Sequence, residues 1–178
     1  MAEGLVKDNK NTTFQFAFRW GSIIGLVTLI YFLVGFYTGL ERRLYFGDFY
    51  FFVEIGLISW MFVAYKKENE LDRLKFSKMM LLGCYAALFI ALFYAMYFFV
   101  KIMKLDPLFF QSILGQIVDM MENSLSVDYF KDMTPQMMVV AKVSFLISTY
   151  ISSFFNTMVY TLLLALFVTI NQRIYARR

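Results

Sequence analysis

Histidine is absent from this chain, cysteine occurs once, at Cys84, and proline only twice. A single cysteine excludes an internal disulfide. Together with the missing imidazoles it removes almost every transition-metal site, since these are built from thiolate and imidazole ligands. Cys84 lies inside an apolar run and reads as a small apolar filler. The sequence also lacks a phosphate-cradling glycine loop, a Walker-type lysine and a histidine base. Asp119 with Glu122, and Asp128 with Asp132, have helical spacing, but a solvated face accounts for them better than a calcium site. No catalytic residue, cofactor or metal is therefore expected, and the chain does not read as an enzyme. Charge is scarce as well: 17% of residues are charged and the net charge is +4. No basic stripe suited to tracking phosphates is present, so nucleic acid is not an expected partner.

What the chain has instead is apolar and aromatic mass, with 60% hydrophobic and 20% aromatic residues. A soluble domain is nearer half apolar and a quarter charged. The excess is clustered in four runs, near 20–38, 47–65, 79–100 and 144–170. Each approaches or exceeds the ~20 residues of helix that cross a hydrocarbon core of ~30 Å. The expected fold is an all-α integral membrane protein. Residues 1–178 form one domain, a four-transmembrane-helix bundle with an amphipathic helical hairpin between helices three and four, over 105–142. The lipid bilayer is its first partner. The opening MAEGLVKDNKNTTFQFAFRW is mixed in charge, lacks a small-residue cleavage site and carries no lipidation signal. The first helix is thus expected to be an uncleaved anchor, preceded by a disordered stretch to about residue 13.

Small residues mark where helices approach one another, because lipid offers little hydrophobic drive for helix association. Gly21 and Gly25 lie four apart in helix one, and Gly35 and Gly39 repeat the spacing. The pair serves either close packing within the chain or a homodimer. In helix three Gly83, Ala87, Ala91 and Ala95 keep strict four-residue spacing and form one narrow groove for another helix. Between helices three and four, Asp106-Pro107 and Thr134-Pro135 each place a capping side chain before a proline, the arrangement of a helix start. The first of these helices, 107–125, carries Phe110, Ile113, Leu114 and Ile117 on one face and Gln111, Gln116 and Asp119 on the other. Its polar face has no lysine or arginine, so it is expected on the mouth of the bundle or against a protein partner. The second can run unbroken to Gln172, a length of about 57 Å at 1.5 Å per residue. It carries Ser144, Ser148, Ser152 and Asn156 at four-residue spacing, a stripe that faces protein or water. The whole hairpin is rich in methionine, with Met120, Met121, Met133, Met137 and Met138, and methionine adapts to irregular partner surfaces.

One apolar run has a charge at its centre. Helix two reads GDFYFFVEIGLISWMFVAY, with Glu54 near the middle. Its nine Phe, Val, Ile and Leu residues contribute ~3–5 kcal/mol to insertion, against ~2.5–3.5 kcal/mol for a central acid. The helix is near break-even and is expected to insert as a hairpin with helix one. A charge kept at such cost points to a site. Counting inward from the outer helix ends puts Tyr31, Tyr94 and Ser152 at the depth of Glu54, and these three are expected to supply hydroxyls to it. Three roles are open. Glu54 is a protonated hydrogen bonder that pins helices together, or a proton- or cation-binding group, or it snorkels to the outer surface.

Positive charge marks the cytoplasmic side. The start of the chain, the linker 66–78 and the end share one side and hold eleven lysines and arginines, against six on the other. Both termini are expected in the cytoplasm. Several features, taken in order, are similar to a known membrane family: GSIIGL in helix one, YKKENE in the linker, LKFSKMMLLG leading into helix three, LDP at 105–107 and TP at 134–135. The chain resembles the family designated domain of unknown function 4199, found mainly in Bacteroidota. The resemblance implies four transmembrane helices and a bacterial inner-membrane location. It implies no activity and carries over no functional residues. Two functions fit: a small non-catalytic subunit or accessory acting by protein contact in the cell envelope, as a homodimer or with another membrane protein; or a small proton- or cation-coupled transporter or channel using Glu54.

Overall fold

Glycine and alanine make the third apolar run the axis of the molecule, because they let two neighbours reach its backbone at once. The structure, a computed structural model, describes residues 10–43, 45–121 and 135–175. Among them there are five α-helices and no strand: α1 (Lys10–Tyr37), α2 (Phe46–Glu68), α3 (Phe76–Val100), α4 (Pro107–Met121) and α5 (Pro135–Tyr175). Four are long and apolar enough to cross a membrane, over Thr13–Tyr37, Phe46–Glu68, Phe76–Leu105 and Pro135–Gln172. These spans overrun the apolar runs because a helix does not stop where hydropathy falls. Thus α1 starts at Lys10 and includes residues expected to be disordered, and Thr13 is buried with its hydroxyl 3.3 Å from that of Tyr65.

Helix α3 lies between α1 and α5 and packs closely along both, whereas α2 meets α1 and α5 sparsely. The close approaches are backbone-deep. A Cβ on Gly21 would sit 2.9 Å from Ala86 Cα, one on Gly25 would strike the Phe93 ring, and one on Gly83 would strike Thr161. The Gly21–Gly25 pair is thus spent inside the chain, against α3. Gly83, Ala87 and Ala91 are buried, while Ala95 is only half-buried, so the groove closes one turn early. Outward faces are apolar, as at Ile30, Val34, Phe52, Trp60, Leu92, Leu163 and Phe167.

The chain reverses between α1 and α2 at Gly39, whose φ of 70° is the left-handed cap conformation that glycine adopts without strain. A 3-10 turn, Leu40–Arg42, follows. Helix α3 ends in a π-helical turn, Lys101–Leu105. The Asp106 carboxylate then accepts from the Phe109 N–H at 3.1 Å, capping α4 with Pro107 in its first position. Phe110 of α4 is buried beside Phe145 of α5, and Phe109 packs on Phe98 of α3, so α4 closes the end of the bundle that holds the α1–α2 turn, the end expected to be the outer one. Helix α5 is continuous for 41 residues, about 62 Å. Thr134, Met133, Asp128, Asp132, Glu122, Arg177 and Arg178 lie outside the described residues, as do the side chains of Asp119, Met120, Met121 and Arg173.

Candidate functional site

Helix periodicity sets Tyr50 one turn above Glu54 on the same face of α2, and that face turns inward. Glu54 is 4% exposed. The Thr157 hydroxyl of α5 donates to Glu54 Oε1 at 2.5 Å. On the other side the Tyr50 phenol is hydrogen-bonded to the same carboxyl. Tyr50 also lies 2.7 Å from the hydroxyl of Thr28 on α1, and that hydroxyl donates to the Ile24 carbonyl at 2.9 Å. The run thus links Thr157 of α5, Glu54 and Tyr50 of α2 and Thr28 of α1.

Of the three hydroxyls expected at Glu54, none is its hydrogen-bond partner. Tyr31 donates to the Phe46 carbonyl at 2.8 Å and stacks on the Phe46 ring, at the outer end of α2. Tyr94 and Ser152 line the cavity into which Glu54 faces. The expected ends are not the helix ends: the fourth span starts at Pro135, well before 144, and the third continues to Leu105, so a count from the edges of the apolar runs does not measure depth. Thr157 had its own signal. Thr149, Ser153, Thr157 and Thr161 form a second row of hydroxyls at four-residue spacing, beside the stripe of Ser144, Ser148, Ser152 and Asn156.

The cavity measures about 430 Å³. It extends from Gly47 and Ser148, near the outer end, to Tyr160, past Thr157. One wall is aromatic, with Phe32, Tyr50, Phe51, Tyr94, Phe98 and Tyr160; the other is polar, with Ser148, Thr149, Ser152, Ser153 and Asn156 of α5. Ser148, Ser152 and Asn156 are exposed, so the stripe borders the opening. Glu54 is the sole carboxyl in the lining, and no lysine or arginine joins it.

A second polar cluster closes the outer end. Lys101, in the π-helical turn, is 4% exposed and pairs with Glu41 of the 3-10 turn. Tyr97 donates to the second Glu41 oxygen at 2.8 Å, and the ammonium sits 3.8 Å from the centroid of the Phe109 ring. The sequence reading passed over this clamp; its only signal is one acid and one base at the ends of two apolar runs. At the opposite end Arg19 pairs with Glu68 at 2.5 Å, both about half-exposed.

Four long apolar helices with a polar core around a buried acid define an all-α, multi-pass membrane protein. The chain matches the family described as protein of unknown function (DUF4199) over residues 19–170, and it belongs to that family. No curated protein and no solved structure matches the chain.

Proposed function

We propose that this protein is a non-catalytic, multi-pass component of the bacterial inner membrane that binds and passes a proton or another cation through Glu54. The observation that carries this reading is the buried Glu54 carboxyl at a 430 Å³ cavity lined by hydroxyls and phenols, with no basic side chain to neutralise it. An acid inside a membrane helix costs several kcal/mol unless it is paired, and such residues mark ion and proton pathways. The excess of basic residues at the two chain ends and in the linker 66–78 supports cytoplasmic termini, with the cavity opening toward the outer side. The test is reconstitution into liposomes with an internal pH dye and an imposed proton or alkali-cation gradient. Flux above that of empty liposomes, lost in Glu54→Gln, supports the reading; equal flux in the variant refutes it.

The second reading is a contact role, as a subunit or homodimer. It is favoured by Leu108 on α4 and by Val139, Val140, Val143 and Ile147 on the outer part of α5, all at least half exposed. Crosslinking of the intact protein in nanodiscs tests it: a stoichiometric partner or dimer bound through these residues supports contact, and a lone monomer opposes it.

A further inference from the structure

We infer that the cavity is a binding site for a small organic ammonium ion, which replaces the proton of Glu54. This rests on the cation reading above and names the chemical class of the cation. The size of the cavity comes first. About 430 Å³ falls within the range of small-molecule sites and is far larger than a dehydrated metal ion needs. The donor set agrees. Among the described residues no three His, Cys, Asp or Glu come together, so a hard divalent cation would find one carboxylate where it needs several oxygen ligands.

The aromatic wall gives the class its sharpest definition. Tyr50, Tyr94, Phe98 and Tyr160 line the cavity together with a single acid. Ring faces attract cations through their quadrupole, and most strongly those that are weakly hydrated, such as alkylated ammonium groups. An anion would find no lysine or arginine. A neutral polyol would satisfy the serine wall but leave the carboxyl without a counter-charge. An ammonium ion satisfies both walls: its charge lies between carboxylate and rings, and any hydroxyl or N–H it carries reaches Ser152, Ser153 or Asn156.

The burial of Glu54 adds the exchange. Glu54 is hydrogen-bonded to Thr157 and Tyr50 with no basic side chain in the cavity lining, so in the empty cavity it keeps its proton. Binding of an ammonium ion requires the carboxylate, so the carboxyl O–H bond breaks and the proton leaves to bulk water as the cation enters. Charge in the site is conserved and no bond of the ligand changes. The titratable groups that face Glu54 are the phenols of Tyr50 on α2, Tyr94 on α3 and Tyr160 on α5; α1 contributes only Thr28 and Phe32. Phenols ordinarily titrate near ~10, so below that range Glu54 is the only group that can release the proton.

The experiment is isothermal titration calorimetry of the full chain in nanodiscs with choline and with methylammonium. The neutral control is 3,3-dimethylbutan-1-ol, which has the shape of choline without its charge. Runs in two buffers of different ionisation enthalpy count protons. The expected result is saturable binding of an ammonium ion with release of about one proton, so affinity rises up to tenfold per pH unit while Glu54 is protonated. The neutral alcohol does not bind, Glu54→Gln abolishes binding, and Tyr94→Leu weakens it by ~5–30-fold. Tyr94→Leu leaves the carboxyl in place, so it tests the aromatic wall even if Glu54→Gln disturbs folding. Equal binding of the alcohol, binding retained in a folded Glu54→Gln, or no binding of either ammonium ion up to about 10 mM overturns the assignment. Loss of the assignment with Glu54-dependent proton flux intact leaves the cation reading standing; loss of both removes both.

Discussion

Replacing Gly83 by alanine tests whether backbone contact between α3 and α5 holds the molecule together. The added Cβ would lie 2.8 Å from Thr161 Cβ and closer still to its methyl group. Rotating the threonine moves the methyl and hydroxyl but not Cβ, which is fixed to the α5 backbone. An ordinary contact is about 3.4 Å or more, so the helices must part by roughly 0.6 Å. A gap of that size forfeits about a quarter to a half of each contact worth ~0.1–0.2 kcal/mol. Over roughly 40 such contacts the loss is ~1–4 kcal/mol, a range that contains measured overpacking costs of ~1–3 kcal/mol. Alanine recovers up to ~1 kcal/mol through its helix propensity. The net expectation is a destabilisation of ~1–2 kcal/mol, read as a lowered midpoint in denaturant titration or thermal aggregation of the protein in mild detergent. Gly56 is the control, since its Cβ would meet nothing within 4 Å and Gly56→Ala should stabilise. In a Thr161→Gly background the clash is gone and Gly83→Ala should change sign, while Thr161→Ala, which keeps its Cβ, should rescue only in part. If Gly83→Ala stabilises as much as Gly56→Ala, the close-packing argument is wrong.

At the outer clamp, Glu41→Gln leaves the buried Lys101 ammonium without its countercharge, and ~2–4 kcal/mol should be lost. Lys101→Met should cost less, because Glu41 is partly exposed and keeps Tyr97, and the double variant should recover most of the loss; melting of all three in one detergent checks the order. Thr157→Val removes the donor to Glu54 Oε1 and should lower stability by ~1–3 kcal/mol, with Thr157→Ser close to native on the same melt. By contrast, Glu68→Gln breaks an exposed pair with Arg19 and should shift stability by less than ~1 kcal/mol, with the difference vanishing in high salt.

The fold was legible because lipid imposes a length on apolar helices, and two proline-led helix starts stood out between the third and fourth runs. Glu54 was legible for the same reason, as the lone charge at the centre of such a run. Its partners were not. Moving one position along a helix rotates the side chain by about 100°, and α5 carries two adjacent rows of polar residues with the same period. Composition cannot tell which row turns inward. The structure turns Thr157 and Thr161 in, both buried, and leaves Ser152 and Asn156 bordering the cavity opening. Tyr50 was passed over because the count compared helices with one another and not Glu54 with its own neighbour one turn away. The pair of Glu41 and Lys101, 60 positions apart, becomes visible only when the reversal at Gly39 and the π-helical turn bring the two loop ends together.

Helix α2 explains why the polar cavity lies where it does. Helix α3 meets α1 and α5 through glycine, alanine and threonine, and that close approach leaves little space on either side of it. Helix α2 presents large side chains instead. Its ring contacts are Phe46 on Tyr31 at 4.5 Å, Tyr50 on Phe32 at 4.9 Å, Phe51 on Tyr160 at 4.9 Å and Trp60 on Trp20 at 5.9 Å. Rings of this size hold backbones apart, and the cavity lies between α2 and the α3–α5 pair. In lipid that gap need not collapse, because closing it gains little hydrophobic free energy. Directional bonds then help to retain α2 beside the cavity: Tyr50 with Thr28 of α1 on one side and Glu54 with Thr157 of α5 on the other. The residue that costs most to insert is thereby also the one that ties α2 to α5.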